Sequence, residues 1–117
     1  MKYRITDETR RLESGEILHR IVRTDGGSGG FVQSETNLSQ AGTCWLHGDS
    51  LAYGEARVEE DAQVYGTVSG SAVARGHAAI HGRLHGHAVV EGDAKVYGNV
   101  GGSHHIGGDK VIYGNLD

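Results

Sequence analysis

Residues 62–109 divide into three rows of sixteen residues, each cut into blocks of six, four and six: AQVYGT VSGS AVARGH (62–77), AAIHGR LHGH AVVEGD (78–93) and AKVYGN VGGS HHIGGD (94–109). A fourth row begins with KVIYGN (110–115). Aliphatic and glycine positions stay in register down the rows, in three columns: Val64, Ile80, Val96, Ile112; Val68, Leu84, Val100, Leu116; and Gly66, Gly82, Gly98, Gly114. A fixed period of this kind indicates a solenoid in which each row is one coil.

Alternation along each block assigns the inner and outer positions. In A-x-V-x-G-x the alanine and the aliphatic residue share one side of a strand, the intervening residues share the other, and glycine makes the corner. Three short faces per coil predict an all-β fold, a short triangular parallel β-helix of about sixteen residues per coil over residues 44–117. Residues 44–61 (CWLHGD SLAYGE ARVEED) form its longer first coil. The predicted interior positions are Leu46, Ala52, Val58, Ala62, Val64, Val68, Ala72, Ala74, Ala78, Ile80, Leu84, Ala88, Val90, Ala94, Val96, Val100, Ile106 and Ile112.

Residues 1–43 lack the repeat. Tyr3 and Ile5 alternate with polar residues, residues 16–22 (EILHRIV) are typical of a second strand, and Ser14 and Gly15 suit the turn between them. Residues 26–30 (GGSGG) indicate a flexible loop. We expect this segment to be an N-terminal β cap with a Gly-rich loop, since an uncapped solenoid end exposes unpaired strand edges.

Two short pieces of sequence carry a family resemblance: GGFV (29–32) and NLSQAGTCW (37–45), followed by the A-x-V-x-G repeats. With these pieces the chain resembles the YdcK-type single-stranded left-handed β-helix proteins and their short phage and prophage relatives. The resemblance covers essentially the whole chain and implies a left-handed helix with an N-terminal β cap. It supplies no catalytic residues, and the chain departs from the family in its four-residue faces and its brevity. The hexads alone are shared with hexapeptide acyltransferases and bactofilin-like polymers.

The amino-acid composition disfavours several classes of binding partner. The chain has fifteen acidic residues and eleven basic ones, so its net charge is negative. This charge disfavours sequence-independent electrostatic binding to nucleic acid or to an anionic membrane. The single Cys44 cannot form an internal disulfide, and no stretch is apolar enough for export or for spanning a membrane. We expect a cytoplasmic protein, in the infected host if it is phage-encoded, whose partners include neither membranes nor a specific nucleic-acid sequence.

One outward column is aromatic: His47, Tyr65, His81, Tyr97 and Tyr113. Rings one coil apart favour each other, so the column predicts a structural aromatic ladder. A subunit interface and a ligand-stacking surface are the alternatives, since flat rings also receive bases.

A second outward column predicts self-association. It carries Arg57, Val73, Val89 and His105, and apolar residues outside so thin a prism favour cover by another subunit. We expect a homo-oligomer, most simply a trimer with parallel axes, with this column and Tyr113 at the interface.

Basic side chains occupy consecutive outward or corner positions over two coils of the repeat: Arg75, His77, His81, Arg83, His85 and His87. These six residues are called the belt below. One interpretation is a solvated surface paired with Glu91 and Asp93. The other is a pocket for an anionic or nucleotide-like ligand, formed with Tyr65 and Tyr97 in a groove between subunits.

Catalysis and metal binding have weaker support. His77, His81 and His85 fall on different faces, whereas zinc needs three or four ligands at one point, so no metal or other cofactor is expected. A base such as His81 or His87 is the minor acyltransferase alternative, but the chain has no inserted loops to enclose a substrate. We therefore predict that the protein is not an enzyme.

Two functional hypotheses of different class follow. The first is a non-catalytic oligomeric binding protein that sequesters a small anionic or nucleotide-type signalling ligand, as a phage countermeasure to host defence would. The second is a structural element, either a self-assembling scaffold or part of a virion.

Overall fold

Three sheets build the protein in a computed structural model that describes residues 1–116. The fold is an all-β solenoid of about five turns with about sixteen residues per turn, which confirms the predicted fold class. Asp117, the last residue of the predicted repeat region, lies outside the described residues. The left-handed sense implied by the resemblance stays a prediction.

Each face of the prism is a ladder of two-residue parallel strands. Face A contains β5 (Leu51–Ala52), β8 (Thr67–Val68), β11 (Arg83–Leu84), β14 (Asn99–Val100) and β17 (Asn115–Leu116). Face B contains β6 (Arg57–Val58), β9 (Val73–Ala74), β12 (Val89–Val90) and β15 (His105–Ile106). Face C contains β4 (Trp45–Leu46), β7 (Gln63–Val64), β10 (Ala79–Ile80), β13 (Lys95–Val96) and β16 (Val111–Ile112).

The register of these ladders follows the sequence period. Ile80 pairs with Val64 below and Val96 above, and Leu84 pairs with Val68 and Val100. Each predicted interior residue is buried except Ile112, which is half-buried in the last coil. A continuous apolar row therefore fills the prism, with alanines where the walls converge.

The corner between faces C and A explains the glycines at positions 66, 82 and 98 of the glycine column. Here the backbones of successive coils approach so closely that a Cβ atom on Gly82 would lie 1.9 Å from the carbonyl oxygen of Gly98. Gly66 and Gly98 meet the coil above at 2.0 Å in the same way. Glycine is required at this corner by space, since a Cβ atom has no room there.

The four-residue spacing between the strands of face C and those of face A begins in the second coil, after the longer first coil. Leu46 and Val64 pair eighteen residues apart, whereas Ala52 and Val68 pair sixteen apart. Glu60 occupies the corner position that glycine holds in later coils, and it adopts a positive φ of 59°.

The cap consists of the hairpin β1 (Tyr3–Arg11) and β2 (Ile17–Arg23) followed by β3 (Ser28–Val32) and a short 3-10 helix (Glu35–Asn37). β3 pairs antiparallel with β2 and parallel with β5, so cap and solenoid share one eight-stranded sheet. Parallel pairing therefore starts upstream of residue 44.

The predicted loop at residues 26–30 is wrong for residues 28–30, which belong to β3. Gly29 and Gly30 are buried, and a Cβ atom on Gly30 would lie 2.1 Å from the carbonyl oxygen of Ser50. These glycines permit close packing, whereas the same composition in an exposed segment gives flexibility.

Buried polar side chains attach the cap to the first coil. The Oδ1 atom of Asn37 accepts hydrogen bonds from the backbone N–H groups of Gln33 and Ser34, while its Nδ2 donates to the carbonyls of Gly54 and Ala56. Asn37 is fully buried; its bond to Ala56 is buried, and its other three bonds are partly buried. These hydrogen bonds take the place of strand pairing in the segment that precedes the repeat.

Hydrogen bonds from a polar side chain to the backbone also hold β1 in place. The Oε1 atom of Gln40 accepts hydrogen bonds from the backbone N–H groups of Lys2 and Tyr3, and its Nε2 donates to the Tyr3 carbonyl. The phenol of Tyr3 donates to the carbonyl of Leu38, and burial raises the pKa of Tyr3 to about 12, with Glu35 adding to the effect. Within residues 1–116, no helix is long and apolar enough to cross a membrane.

Candidate functional site

The aromatic column forms a continuous stack along the corner between faces C and A. Neighbouring ring centroids are separated by 4.5 Å (His47 to Tyr65), 4.5 Å (Tyr65 to His81), 4.8 Å (His81 to Tyr97) and 5.3 Å (Tyr97 to Tyr113). All four pairs are within 9° of parallel. The predicted aromatic ladder is confirmed, because a period of sixteen places each ring over the last.

The spacing of the aromatic ladder limits how it can bind. A planar group inserted between two rings needs about 3.5 Å on each side, hence rings about 7 Å apart. The observed gaps are at most 5.3 Å, so they are closed to an intercalating base. Among the tyrosines of the ladder, Tyr65 and Tyr97 are 48% and 45% exposed, whereas Tyr113, at the top of the stack, is 78% exposed. Among the described residues, the Tyr113 ring stacks on one side only, against Tyr97.

The six residues of the belt do not lie close together in the structure. Arg75 and His77 lie at the corner between faces B and C, and His81 belongs to the aromatic ladder. Arg83 points out from face A, and His85 and His87 lie between faces A and B. Consecutive positions of one coil travel around the prism, so neighbours in sequence end on different walls. The role of these residues in ligand binding stays a prediction.

Part of the belt is paired with carboxylates, as the solvated-surface interpretation expects. Arg75 Nε donates to Glu91 Oε1 at 2.9 Å, and His105 Nε2 contacts the other carboxylate oxygen of Glu91. These two hydrogen bonds, His105 first, lower the pKa of Glu91 below its ordinary value. His77 Nδ1 lies 3.9 Å from Asp61 Oδ2, one coil below.

Face B carries the predicted interface column in register. Arg57 pairs with Val73, and Val89 pairs with Val73 below and His105 above. Val73 and Val89 are half-buried in the single chain, and Arg57 and His105 are exposed. The column is therefore an outward stripe with an apolar middle and a basic residue at each end.

The sequence did not predict a groove at the end of face B that lies next to the cap. Two adjoining hollows of about 420 and 210 Å³ share Thr36 and Arg57 in their walls. The larger is also lined by Glu55, Ser71 and Val73, and the smaller by Glu35, Ser39 and Glu59, with Gly54 and Val58 completing the two walls. Sequence reasoning missed this groove because Thr36 belongs to the non-repetitive cap, which the period cannot place against face B.

Arg57 is the distinctive group of the groove. In the part of the chain that the structure describes, its guanidinium makes no hydrogen bond or ion pair, unlike that of Arg75. A guanidinium offers five donors suited to a carboxylate or phosphate. Glu35, Glu55 and Glu59 line the same hollows, so one chain alone does not make the groove positive.

The remaining candidate histidines are distributed as follows. The ring of His81 is stacked between Tyr65 and Tyr97, and His87 is exposed at the corner between faces A and B. Over residues 1–116, no three His, Cys, Asp or Glu side chains come together as a metal site. Cys44 is buried and lies 3.3 Å from the Nζ atom of Lys2.

Comparison with known proteins gives no match: no family model, no curated protein and no solved structure matches this chain. Membership of the YdcK-type family stays a prediction that rests on the residues quoted for it.

Proposed function

We propose that this protein is a non-catalytic, oligomeric β-solenoid that binds a small anionic ligand where neighbouring copies meet along face B. The observation that carries the proposal is the guanidinium of Arg57, which lines a groove without an ion pair among the described residues. The groove joins the apolar stripe of Val73 and Val89, so one surface offers both a ligand-binding cation and a contact for another subunit.

Face B suits self-association because its middle is flat and apolar. Val73 and Val89 stack directly over each other, and burying each side chain contributes up to about 1.5 kcal/mol. A trimer with parallel axes would repeat this contact three times and close on itself.

Electrostatics favour a site shared between copies. The groove of one chain contains Arg57 with three carboxylates, which would repel a multiply charged anion. Arg83 and a protonated His87, brought together from a second copy, would balance the three carboxylates. The ligand that we infer is a nucleotide-type signalling molecule, and its sequestration in the cytoplasm of an infected host is the role that the resemblance to phage relatives supports.

Two pairs of variants test the proposal. Val73→Glu should reduce the mass of the assembly in multi-angle light scattering, while Thr67→Glu, a half-buried outward position on face A, should leave the mass unchanged. In titration calorimetry against cyclic and ADP-ribose-type nucleotides, Arg57→Gln should abolish binding, while Arg4→Gln, exposed on β1 of the cap, should leave it unchanged. A monomeric wild type, or no heat with any nucleotide of the panel, would contradict the proposal.

A structural scaffold is the second candidate. The regular faces and the aromatic ladder favour it, since both continue without interruption through the coils. A scaffold that polymerises should gain mass steadily as its concentration rises. A binding protein of the first kind should show one fixed mass over the same range.

A further inference from the structure

The larger hollow of the groove differs from the smaller one in its balance of charge. Among the residues that line it, Arg57 is the cation and Glu55 is the single acidic residue, whereas the smaller hollow combines Arg57 with Glu35 and Glu59. The larger hollow therefore sets one guanidinium against one carboxylate. A ligand that meets both groups needs an anionic part for Arg57 and hydrogen-bond donors for Glu55.

The carboxylate of Glu55 is held from one side. Ser71, one coil above, donates from its hydroxyl to the Oε2 atom of Glu55 at 3.4 Å. In the part of the chain that the structure describes, the Oε1 atom of Glu55 accepts no hydrogen bond, and the side chain forms no ion pair. Because Glu55 is exposed, its carboxylate can accept further hydrogen bonds from a molecule in the groove.

The other walls of the larger hollow suit a sugar. Thr36 and Ser71 provide hydroxyl groups, and Val73 provides an apolar surface. A sugar has both hydroxyl groups and C–H groups, so it can contact both kinds of wall. The described residues that line the hollow include no aromatic side chain on which a base could stack. Recognition of a nucleotide here would therefore depend on its phosphate and its sugar.

We propose that the ligand of this groove is a ribonucleotide with a free 2′,3′-diol, whose phosphate binds Arg57 and whose two hydroxyls donate to Glu55. This inference rests on the proposed function and narrows the class of nucleotide. A carboxylate accepts two donors at once, and acidic residues bind ribose hydroxyls in this way in dinucleotide-binding proteins. A 2′-deoxynucleotide lacks one of the two donors, and so does a 3′,5′-cyclic nucleotide, whose 3′ oxygen is esterified.

Titration calorimetry with adenosine 5′-monophosphate (AMP) and 2′-deoxy-AMP tests the inference, because the two nucleotides carry the same charge and differ in one hydroxyl. The wild type should bind AMP about tenfold or more tightly than 2′-deoxy-AMP, since the missing hydroxyl loses a hydrogen bond to a charged group. In Glu55→Gln this preference should fall to about threefold or less. The ratio is taken within one variant, so a change in folding or in assembly affects both nucleotides alike.

A control separates recognition of the sugar from the effect of charge. Glu13→Gln removes the same charge at an exposed position in the hairpin turn, away from the groove, and should keep the wild-type ratio. If Glu55 acted through its negative charge alone, Glu55→Gln would strengthen the binding of both nucleotides equally. That result would overturn the inference.

The remaining outcomes distinguish this inference from the proposed function. Equal binding of AMP and 2′-deoxy-AMP by the wild type, or a wild-type ratio in Glu55→Gln, would overturn the assignment of the diol to Glu55. The anion site would still stand if Arg57→Gln abolished the binding of both nucleotides. Binding that Arg57→Gln leaves unchanged, or no binding of either nucleotide by the wild type, would overturn the anion site and the inference together.

Discussion

The cap and the solenoid are joined in one sheet but are stabilised in different ways. In the solenoid the same contacts recur every sixteen residues: a ladder pair, a buried aliphatic side chain and a glycine corner. In the cap, besides the strand pairing of β1, β2 and β3, single polar side chains such as Asn37, Gln40 and Arg20 make contacts that occur only once. A repeat distributes stability over equivalent positions, whereas the cap depends on a few irreplaceable residues.

Arg20 shows how many contacts one cap residue can make. Its guanidinium contacts Glu8 at 2.7 Å and Asp49 at 3.1 Å, donates to the carbonyl of Gly29, and lies 4.3 Å from the centre of the Phe31 ring. These partners come from the hairpin, β3 and the first full coil. Arg20 therefore joins the three parts of the lower end.

The largest expected effect is in the solenoid, at its glycine corner. Gly82→Ala places a Cβ atom 1.9 Å from a backbone oxygen that cannot move without shifting a whole coil. We expect a loss of about 4 kcal/mol or more of unfolding free energy, the extreme range for one substitution. Urea denaturation followed by circular dichroism measures this loss.

The matched control for that prediction is Gly114→Ala, in the same column but with nothing within 4 Å of the added atom. It should change stability by no more than about 0.5 kcal/mol. Both variants are best compared in the Val73→Glu background, which removes the proposed contact between copies along face B. Equal losses at positions 82 and 114 would show that the close approach is not the cause.

The next largest effect tests whether the cap depends on single residues. Asn37→Ala removes four hydrogen bonds, of which the bond to the Ala56 carbonyl is buried and the other three are partly buried. We expect a loss of about 2 kcal/mol in urea denaturation, since an unsatisfied buried group costs about 1 kcal/mol or more and partly buried hydrogen bonds contribute less. Thr36→Ala, exposed in the same turn, is the control and should cost less than about 0.5 kcal/mol. Similar losses of unfolding free energy for the two variants would show that the hydrogen bonds of Asn37 do not stabilise the cap.

A smaller and local effect is expected at Arg20. Arg20→Ala should lower global stability by only about 1 kcal/mol, because its partners Glu8 and Asp49 are largely exposed. The hairpin should nevertheless open more often, so trypsin should cleave after Arg10 and Arg11 several times faster than in the wild type. The exposed Arg4→Ala serves as the control. Unchanged cleavage would mean that β1 is held mainly by Gln40.

The smallest effect is a pH dependence in the solenoid. The pKa of Glu91 lies below its ordinary value of 4.5 because His105 and Arg75 hydrogen-bond to its carboxylate. A lowered folded-state pKa contributes stability above the unfolded value, and this contribution disappears as the pH falls through the folded value. Between pH 6 and pH 3 the melting temperature of the wild type should therefore fall slightly more than that of Glu91→Gln. Parallel curves would show that Glu91 contributes nothing measurable.

Much of the solenoid could be predicted because one number, the period, places every residue. Knowing that Val64 lies under Ile80 also places Tyr65 under His81 and Val73 under Val89. The groove at Arg57 could not be found in this way. It arises where Thr36 of the cap meets the first coils, and no period relates Thr36 to Ser71.

The prediction of a loop at residues 28–30 was wrong for a physical reason. Gly29 and Gly30 were predicted to be loop residues because composition reports conformational freedom but not whether a backbone passes nearby. The residues of the belt lie on several walls, as the repeat predicted for His77, His81 and His85. In a coil that turns three corners, adjacency in sequence carries a side chain around the prism and away from its neighbours.

By itself, the sequence determined the triangular prism, its buried rows, the aromatic ladder and the register of face B, because strand alternation and a constant repeat are local rules that propagate along the chain. The tertiary structure alone decided where β3 pairs, how Asn37 and Gln40 hold the cap, which carboxylate Arg75 meets, and that Arg57 lines a groove. These features depend on non-repeating contacts between segments distant in sequence, and such contacts form only when the whole chain has folded.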